Sequence, residues 1–217
     1  MKRNRTRFLL PCCLLGAFVL WTAAVGLVDV RPLGPRGSAV GFGALNGWFH
    51  GLTGVNWELY TLTDWLGLVP IGVCGVFGAL GLFQLLRRRS LGRVDADLLL
   101  LGGFYAAVLG CFLLFERFPV NYRPVLVEGR LEASYPSSTT LLVLCIMPTA
   151  RMQLARRIGN RQTLRRILSI LLWGFTGFMV TARAICGVHW ITDIIGGCLL
   201  SAGLVMLYGR SLDRIKR

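Results

Sequence analysis

Acidic residues are scarce in this chain. Ten Asp and Glu stand against 24 Lys and Arg, for a formal charge of +14. Charged residues of all kinds make up 16%, against roughly a quarter in a soluble domain. Histidine is rarer still, with His50 and His189 alone, so no His-rich metal spacing exists. The seven cysteines form no Cys-x-x-Cys pair, which argues against a zinc ribbon, a thioredoxin-like redox site or a disulfide framework. Nearly all lie inside apolar runs and read as small buried hydrophobes. No polar stretch is long enough for a soluble domain, and no low-complexity tract is present.

What remains is apolar. Hydrophobic residues are 54% of the chain and the mean hydropathy is +0.62, which points to an integral membrane protein. Apolar runs at 8–28, 63–86, 98–115, 136–150, 167–186 and 190–208 are each read as one span. The basic residues at 2–7 before the first run also fit a signal peptide, but the charge map favours a retained span. Residues 29–60 break the pattern, with Pro and Gly in Arg31–Gly37 and an aromatic stretch from Gly47 to Trp57. Such a stretch suits the membrane interface. Gly72, Gly75, Gly78 and Gly81, and Gly102, Ala106 and Gly110, are spaced to admit a neighbouring helix.

The expected fold class is therefore all-α: a polytopic membrane protein of six transmembrane helices in a bundle, with an interfacial segment between helices 1 and 2. Residues 1–217 form a single domain. The charges test this map. Residues 2–7, 87–93, 151–166 and 210–217 hold 18 of the 24 basic side chains, and all four groups fall on one side. The positive-inside rule makes that side cytoplasmic, with both termini there. Topology and anionic lipid then account for the high charge, and a nucleic-acid partner is not expected.

The same map brings three polar clusters to the extracytoplasmic side: Asn121-Tyr-Arg-Pro124, Tyr135-Pro-Ser-Ser-Thr-Thr140, and Arg183 to Asp193. Ionisable groups at membrane depth are expensive and usually functional. His189 and Asp193 are four apart, a spacing that shares one face of a helix. Two arginines can grip phosphate oxygens in a forked geometry. Ser137 and Ser138 open a helix, where free amides and the dipole favour an anion. A neutral His189 can attack phosphorus, with Asp193 orienting it. Arginines and amides can supply the electrostatics, so neither a metal nor a cofactor is expected.

These residues also carry a resemblance. Ala182-Arg183-x5-His189-x3-Asp193, followed by Ile-Ile-Gly-Gly, resembles the last motif of the type-2 phosphatidic acid phosphatase superfamily, Ser-Arg-x5-His-x3-Asp. Arg123-Pro124 matches the end of the first motif, Lys-x6-Arg-Pro. Pro136-Ser137-Ser138-Thr139 stands where that family has Pro-Ser-Gly-His. The resemblance covers the six-helix core from the second span onward and implies hydrolysis of a lipid or isoprenoid phosphate through a phosphohistidine. By resemblance, His189, Asp193 and Arg183 are catalytic. Arg123, Ser137, Ser138 and Thr139 hold the substrate phosphate, with Arg117 a neighbour that can stand in for the motif lysine.

The chain departs from the pattern at three places. Glu116 occupies the lysine position, Ala182 the leading serine, and Thr139 the second-motif histidine, which by resemblance protonates the leaving oxygen. A threonine hydroxyl is no acid near neutral pH. A lipid alkoxide needs that proton, whereas a phosphate leaving group is a far weaker base, so a diphosphate lipid is the better expected substrate. His50 is the other candidate acid on that side. The alternative is a catalytically weak or inactive relative that binds a phospholipid or isoprenoid phosphate head group. A transporter fits less well, since no inverted repeat is visible. The lipid bilayer and a membrane lipid phosphate are the expected partners, and the oligomeric state stays open.

Overall fold

The apolar runs become helices, in the order the sequence predicts. The computed structural model describes residues 2–215, with side chains from Phe8 onward. The side chains of Lys2, Arg3, Arg5 and Arg7, and residues Lys216 and Arg217, carry part of the charge map and lie outside the described residues. The α-helices are α1 (Lys2–Leu27), α2 (Gly43–Thr53), α3 (Trp57–Leu66), α4 (Leu68–Arg88), α5 (Ala96–Arg117), α6 (Ser138–Arg157), α7 (Gln162–Ile185) and α8 (Ile191–Leu212). Among the described residues, β pairing is limited to isolated bridges.

Five segments are long and apolar enough to cross a membrane by length and composition: Phe8–Leu27, Trp57–Arg88, Ala96–Arg117, Gln162–Ile185 and Ile191–Leu212. The second of these is α3 and α4 joined at Gly67. The protein is therefore an all-helical, multi-pass membrane protein, and the expected count of six holds only approximately. The sixth long helix, α6, falls short on composition because it is the central one. It packs against α4, α5, α7 and α8, and it buries Thr140, Thr149 and Gln153. Thr149 donates to the Cys145 carbonyl at 2.7 Å, and Gln153 Nε2 donates to the Asp97 carbonyl at 3.0 Å. A helix surrounded by protein can satisfy polar side chains that lipid would leave unpaired. The other long helices expose the apolar belt that a bilayer covers, including Leu20, Val76 and Ile170.

Close helix approach occurs at other glycines than those expected. A Cβ built on Gly72, Gly75, Gly78, Gly81, Gly102 or Gly110 would meet nothing within 4 Å. On α8, by contrast, a Cβ at Gly196 would lie 2.5 Å from the Tyr135 ring, and one at Gly203 would lie 2.7 Å from Leu15. Regular spacing makes a smooth stripe, but only a facing helix makes it an interface. Here α1 and α6 face α8.

The connections carry the other differences. The interfacial segment contains a helix, α2, whose buried Asn46 donates to Thr192 Oγ1 at 3.0 Å and ties α2 to the start of α8. The expected basic loop at 151–166 shrinks to the few residues between Arg157 and Gln162. Arginine is a good helix former, and Arg156 and Arg157 extend α6 by meeting Asp97 at 3.6 and 3.2 Å. The polar loop between α5 and α6 is a hairpin-like excursion. Antiparallel bridges join Tyr122 to Ala133 and Val127 to Arg130. Glu128 and Gly129 turn it, with φ of 50° and 75°, the positive pair that a tight hairpin turn requires. It sets Asn121 and Arg123 beside Glu132 and Ser134.

Candidate functional site

The α7–α8 junction is shaped by Gly187. Its φ is +71°, and a Cβ there would sit 1.7 Å from the Gly54 carbonyl oxygen, so this turn accepts glycine alone. Asn56 N donates to the Cys186 carbonyl at 3.0 Å and holds the α2–α3 linker against the same turn. Trp190 then caps α8, and Asp193 Oδ2 accepts the Trp190 amide at 2.9 Å. A carboxylate in the first turn also meets the positive end of the helix dipole.

His189 therefore stands just ahead of α8. The expected shared helical face is replaced by a capped corner, because the helix begins only after Trp190. The two side chains still converge, but His189 Nδ1 lies 3.8 Å from Asp193 Oδ2, beyond hydrogen-bond range. Ser134 fills the gap. Its hydroxyl donates to Asp193 Oδ2, and its oxygen is 3.1 Å from His189 Nδ1. With that hydroxyl proton spent on the carboxylate, Ser134 Oγ accepts from Nδ1–H. Nε2 is then the ring nitrogen with the lone pair. Asn121 Nδ2 donates to the other carboxylate oxygen at 3.3 Å.

His189 Nε2 is buried and has no hydrogen-bond partner. Burial pushes the imidazole down to about 4, against the pull of the Asp193 side chain and with help from the positive charges of Arg123 and Arg183. The ring is neutral at physiological pH.

Arg183 comes from the last turns of α7 and Arg123 from the hairpin, yet both guanidinium groups lie over one aromatic ring. Arg183 Cζ is 4.8 Å, and Arg123 Cζ 5.9 Å, from the Tyr60 ring centroid. Arg183 is 2% exposed. Its Nη2 meets Asp64 Oδ1 at 2.9 Å, while Nε and Nη1 are buried without partners. Arg123 Nε is 3.1 Å from Glu132 Oε2, in an ion pair whose angle makes no hydrogen bond, and its Nη1 is also free. Buried guanidinium donors without acceptors are costly. An incoming anion would satisfy them.

The start of α6 completes the arrangement. Ser137 is the N-cap: its oxygen accepts from Thr140 N at 3.4 Å, and its own amide donates to the Asp193 carbonyl at 3.1 Å. Both its polar groups are thus engaged inside the fold. Ser138 and Thr139 follow in the first helical turn, where amides lack intrahelical acceptors. A cavity of about 530 Å³ lies between the end of α5, the hairpin and the start of α6, lined by Glu116, Arg123, Glu132, Ser134 and Ser138 among others. A second, largely apolar groove of about 700 Å³ runs beside it between α4, α5 and α6, with Asp64, Ser138 and Thr139 at its polar end. Both contain Ser138, Phe112 and Leu141.

Arg117 is not brought in. It is exposed at the end of α5, with its guanidinium 5.5 Å from the Phe118 ring centroid. The residue before it, Glu116, faces the cavity, and one residue on a helix is a large rotation. His50 lies against Trp190, with ring centroids 5.5 Å apart. Burial lowers its pKa, and its Nδ1 has no partner. Asp64, Ser134 and Tyr60 were not singled out by the sequence. Asp64 had a signal, the lone acid at the start of the apolar run at 63–86. Ser134 and Tyr60 had none, since a serine in a loop and a tyrosine near an interface are ordinary.

Comparisons with known proteins bear on the family and the fold. The PAP2 superfamily model matches residues 105–216, just over half of the chain, which spans the hairpin, α6, α7 and α8. The crystal structure of the first transmembrane PAP2-type phosphatidylglycerolphosphate phosphatase from Bacillus subtilis is similar in fold, with a TM-score of 0.61 and 18% identity over 95% of this chain and 98% of that one. The comparison with curated proteins returned no match. The family match covers the segments that carry the buried His189 corner and both arginines, and by it this chain belongs to the PAP2 superfamily.

Proposed function

We propose that the chain is one membrane domain that removes phosphate from a membrane lipid phosphate or isoprenoid diphosphate, with its site on the extracytoplasmic face. The observation that carries this reading is the meeting of a neutral, buried imidazole whose Nε2 is free with guanidinium donors that are also buried and free. In it, His189 Nε2 attacks phosphorus, forming the N–P bond as the bond to the leaving oxygen breaks. Water then cleaves the phosphohistidine, releasing phosphate and restoring the imidazole. Asp193 acts on His189 through the Ser134 hydroxyl and offsets the charge that develops on the ring. Arg123, Arg183 and the first-turn amides of α6, including those of Ser138 and Thr139, hold the equatorial oxygens, where charge accumulates. The groove between α4, α5 and α6 takes the lipid chain, and its polar end delivers the head group to Ser138. The arginines and amides supply the positive charge, so the reading requires no metal.

No ionisable group stands at Thr139 to protonate the leaving oxygen. Phosphate leaves without that help far better than an alkoxide does, so a diphosphate lipid is favoured. Comparable turnover of mono- and diphosphate lipids would sink this preference. The second reading, a head-group binder without turnover, draws on Thr139 and on the carboxylates of Asp64 and Glu132 already at the arginines.

The deciding experiment measures phosphate release from a panel of lipid mono- and diphosphates by the purified protein and its His189→Ala variant. Release by the wild type alone is the expected result. Release that survives the substitution removes the phosphohistidine route, and no release from any substrate selects the binder.

A further inference from the structure

We propose that a second site, at the end of the bundle opposite His189, binds the phosphate-bearing head group of an anionic phospholipid. It lies between α6 and α7, about 20 Å along α6 from Ser138. A cleft of about 810 Å³ opens there, and Arg151, Arg165, Arg166, Asn160 and Gln162 are among its lining residues. No acidic residue lines it.

The lack of a counter-ion separates this cluster from Arg88, Arg156 and Arg157 at the same end, and the shared cleft separates it from the arginines that stand singly there. Arg156 and Arg157 meet Asp97, and Arg88 meets Asp95 at 2.9 Å. Among the described residues, Arg151, Arg165 and Arg166 have no carboxylate within ion-pair distance. Arg151 also holds its Nε buried without a hydrogen-bond partner, while its guanidinium lies 6.0 Å from the Trp173 ring centroid. A buried guanidinium N–H without an acceptor carries the cost of desolvation until an anion supplies one. The start of α7 adds to this: it has no side-chain cap and no acid in its first turn, so its amides and dipole also favour a negative group.

The surroundings select a lipid over a free anion. Leu168, Ile170 and Leu172 continue the cleft wall, and Ile167, Ile170, Leu171 and Trp173 are exposed along α7 below it. A phosphate held by the arginines would leave its acyl chains along this stripe. Basic pockets between helices at a membrane surface bind lipid head groups in this way. The reading is independent of catalysis at His189, since it uses none of the residues of that corner.

The test is native mass spectrometry of the full chain released from nanodiscs of phosphatidylcholine with a minor fraction of phosphatidylglycerol. The Arg165→Gln/Arg166→Gln variant changes only exposed side chains, so it retains the fold, and Arg151→Gln is added to it in a second protein. The wild type is expected to retain phosphatidylglycerol in preference to phosphatidylcholine. The double variant should bind it about tenfold more weakly and the triple variant about a hundredfold, at roughly a decade or less per arginine. Conversion of the three positions to lysine should restore most of the retention. Equal retention by wild type and both glutamine variants would overturn the proposal. So would displacement of the lipid by millimolar inorganic phosphate, which would mark a site for a free anion.

Discussion

Replacing Ser134 by alanine tests the arrangement of the buried corner. In the wild type this hydroxyl joins His189 Nδ1, at 3.1 Å, to Asp193 Oδ2. In Ser134→Ala the Nδ1 proton has no acceptor, because the carboxylate stands 3.8 Å away. Asp193 keeps the Trp190 amide and the Asn121 amide group, so the α8 cap and the fold survive. The loss is confined to the orientation and charge stabilisation of the ring. A hydrogen bond to a charged group is worth about 1.5–3 kcal/mol, which corresponds to about 10- to 150-fold in rate. That loss belongs in kcat, with KM nearly unchanged, because the arginines that hold the phosphate are untouched. It should also shrink in an Asp193→Ala background, since the bridge then leads nowhere. The assay is steady-state phosphate release in detergent micelles, with thermal unfolding as the control for fold. A folded Ser134→Ala protein within twofold of wild type would falsify the bridged geometry. It would mean that the imidazole closes on Asp193 directly by moving about 1 Å, a shift that the dense packing of a buried ring opposes.

Two further outcomes follow from the same corner. Asp64→Asn frees Arg183 Nη2 for phosphate, and because the Asp64 side chain is 63% exposed the pair is worth only about 0.2–1 kcal/mol. Inhibition by inorganic phosphate should therefore tighten by about 1.5- to 5-fold, and weaker inhibition would show that Asp64 positions Arg183 instead of competing for it. The pH profile of kcat/KM should have its acid limb near 4. Attack needs the neutral ring, so activity is present above that value and is lost as pH falls through it. An acid limb at the ordinary histidine value of about 6.5 would show that the ring is solvated.

The all-helical class and the order and approximate extent of the long helices were legible in the sequence, because lipid demands long apolar runs and little else gives them; their number was legible only approximately. The Arg183, His189 and Asp193 spacing was legible too, since polar groups in such runs stand out. Other features had no local signature. Whether Gly72 or Gly196 faces a neighbour depends on which helix lies opposite. That Glu116 faces the cavity and Arg117 does not depends on where α5 ends and in what rotation. The link from His189 to Asp193 passes through Ser134, a residue of another segment that only the hairpin turned by Glu128 and Gly129 brings within reach.

The sequence by itself determined a multi-pass helical membrane protein of the PAP2 type, because hydropathy and one dense motif are local properties of the chain. Only the tertiary structure decided which polar atoms stand free. Pairing consumes the Ser137 oxygen in capping α6 and its amide on the Asp193 carbonyl, gives Asp64 to Arg183, and leaves His189 Nε2 and buried N–H groups of Arg123 and Arg183 unpaired. Hydrogen bonds are made across space, between residues as far apart in sequence as Asp64 and Arg183, and their balance exists only once the helices have packed.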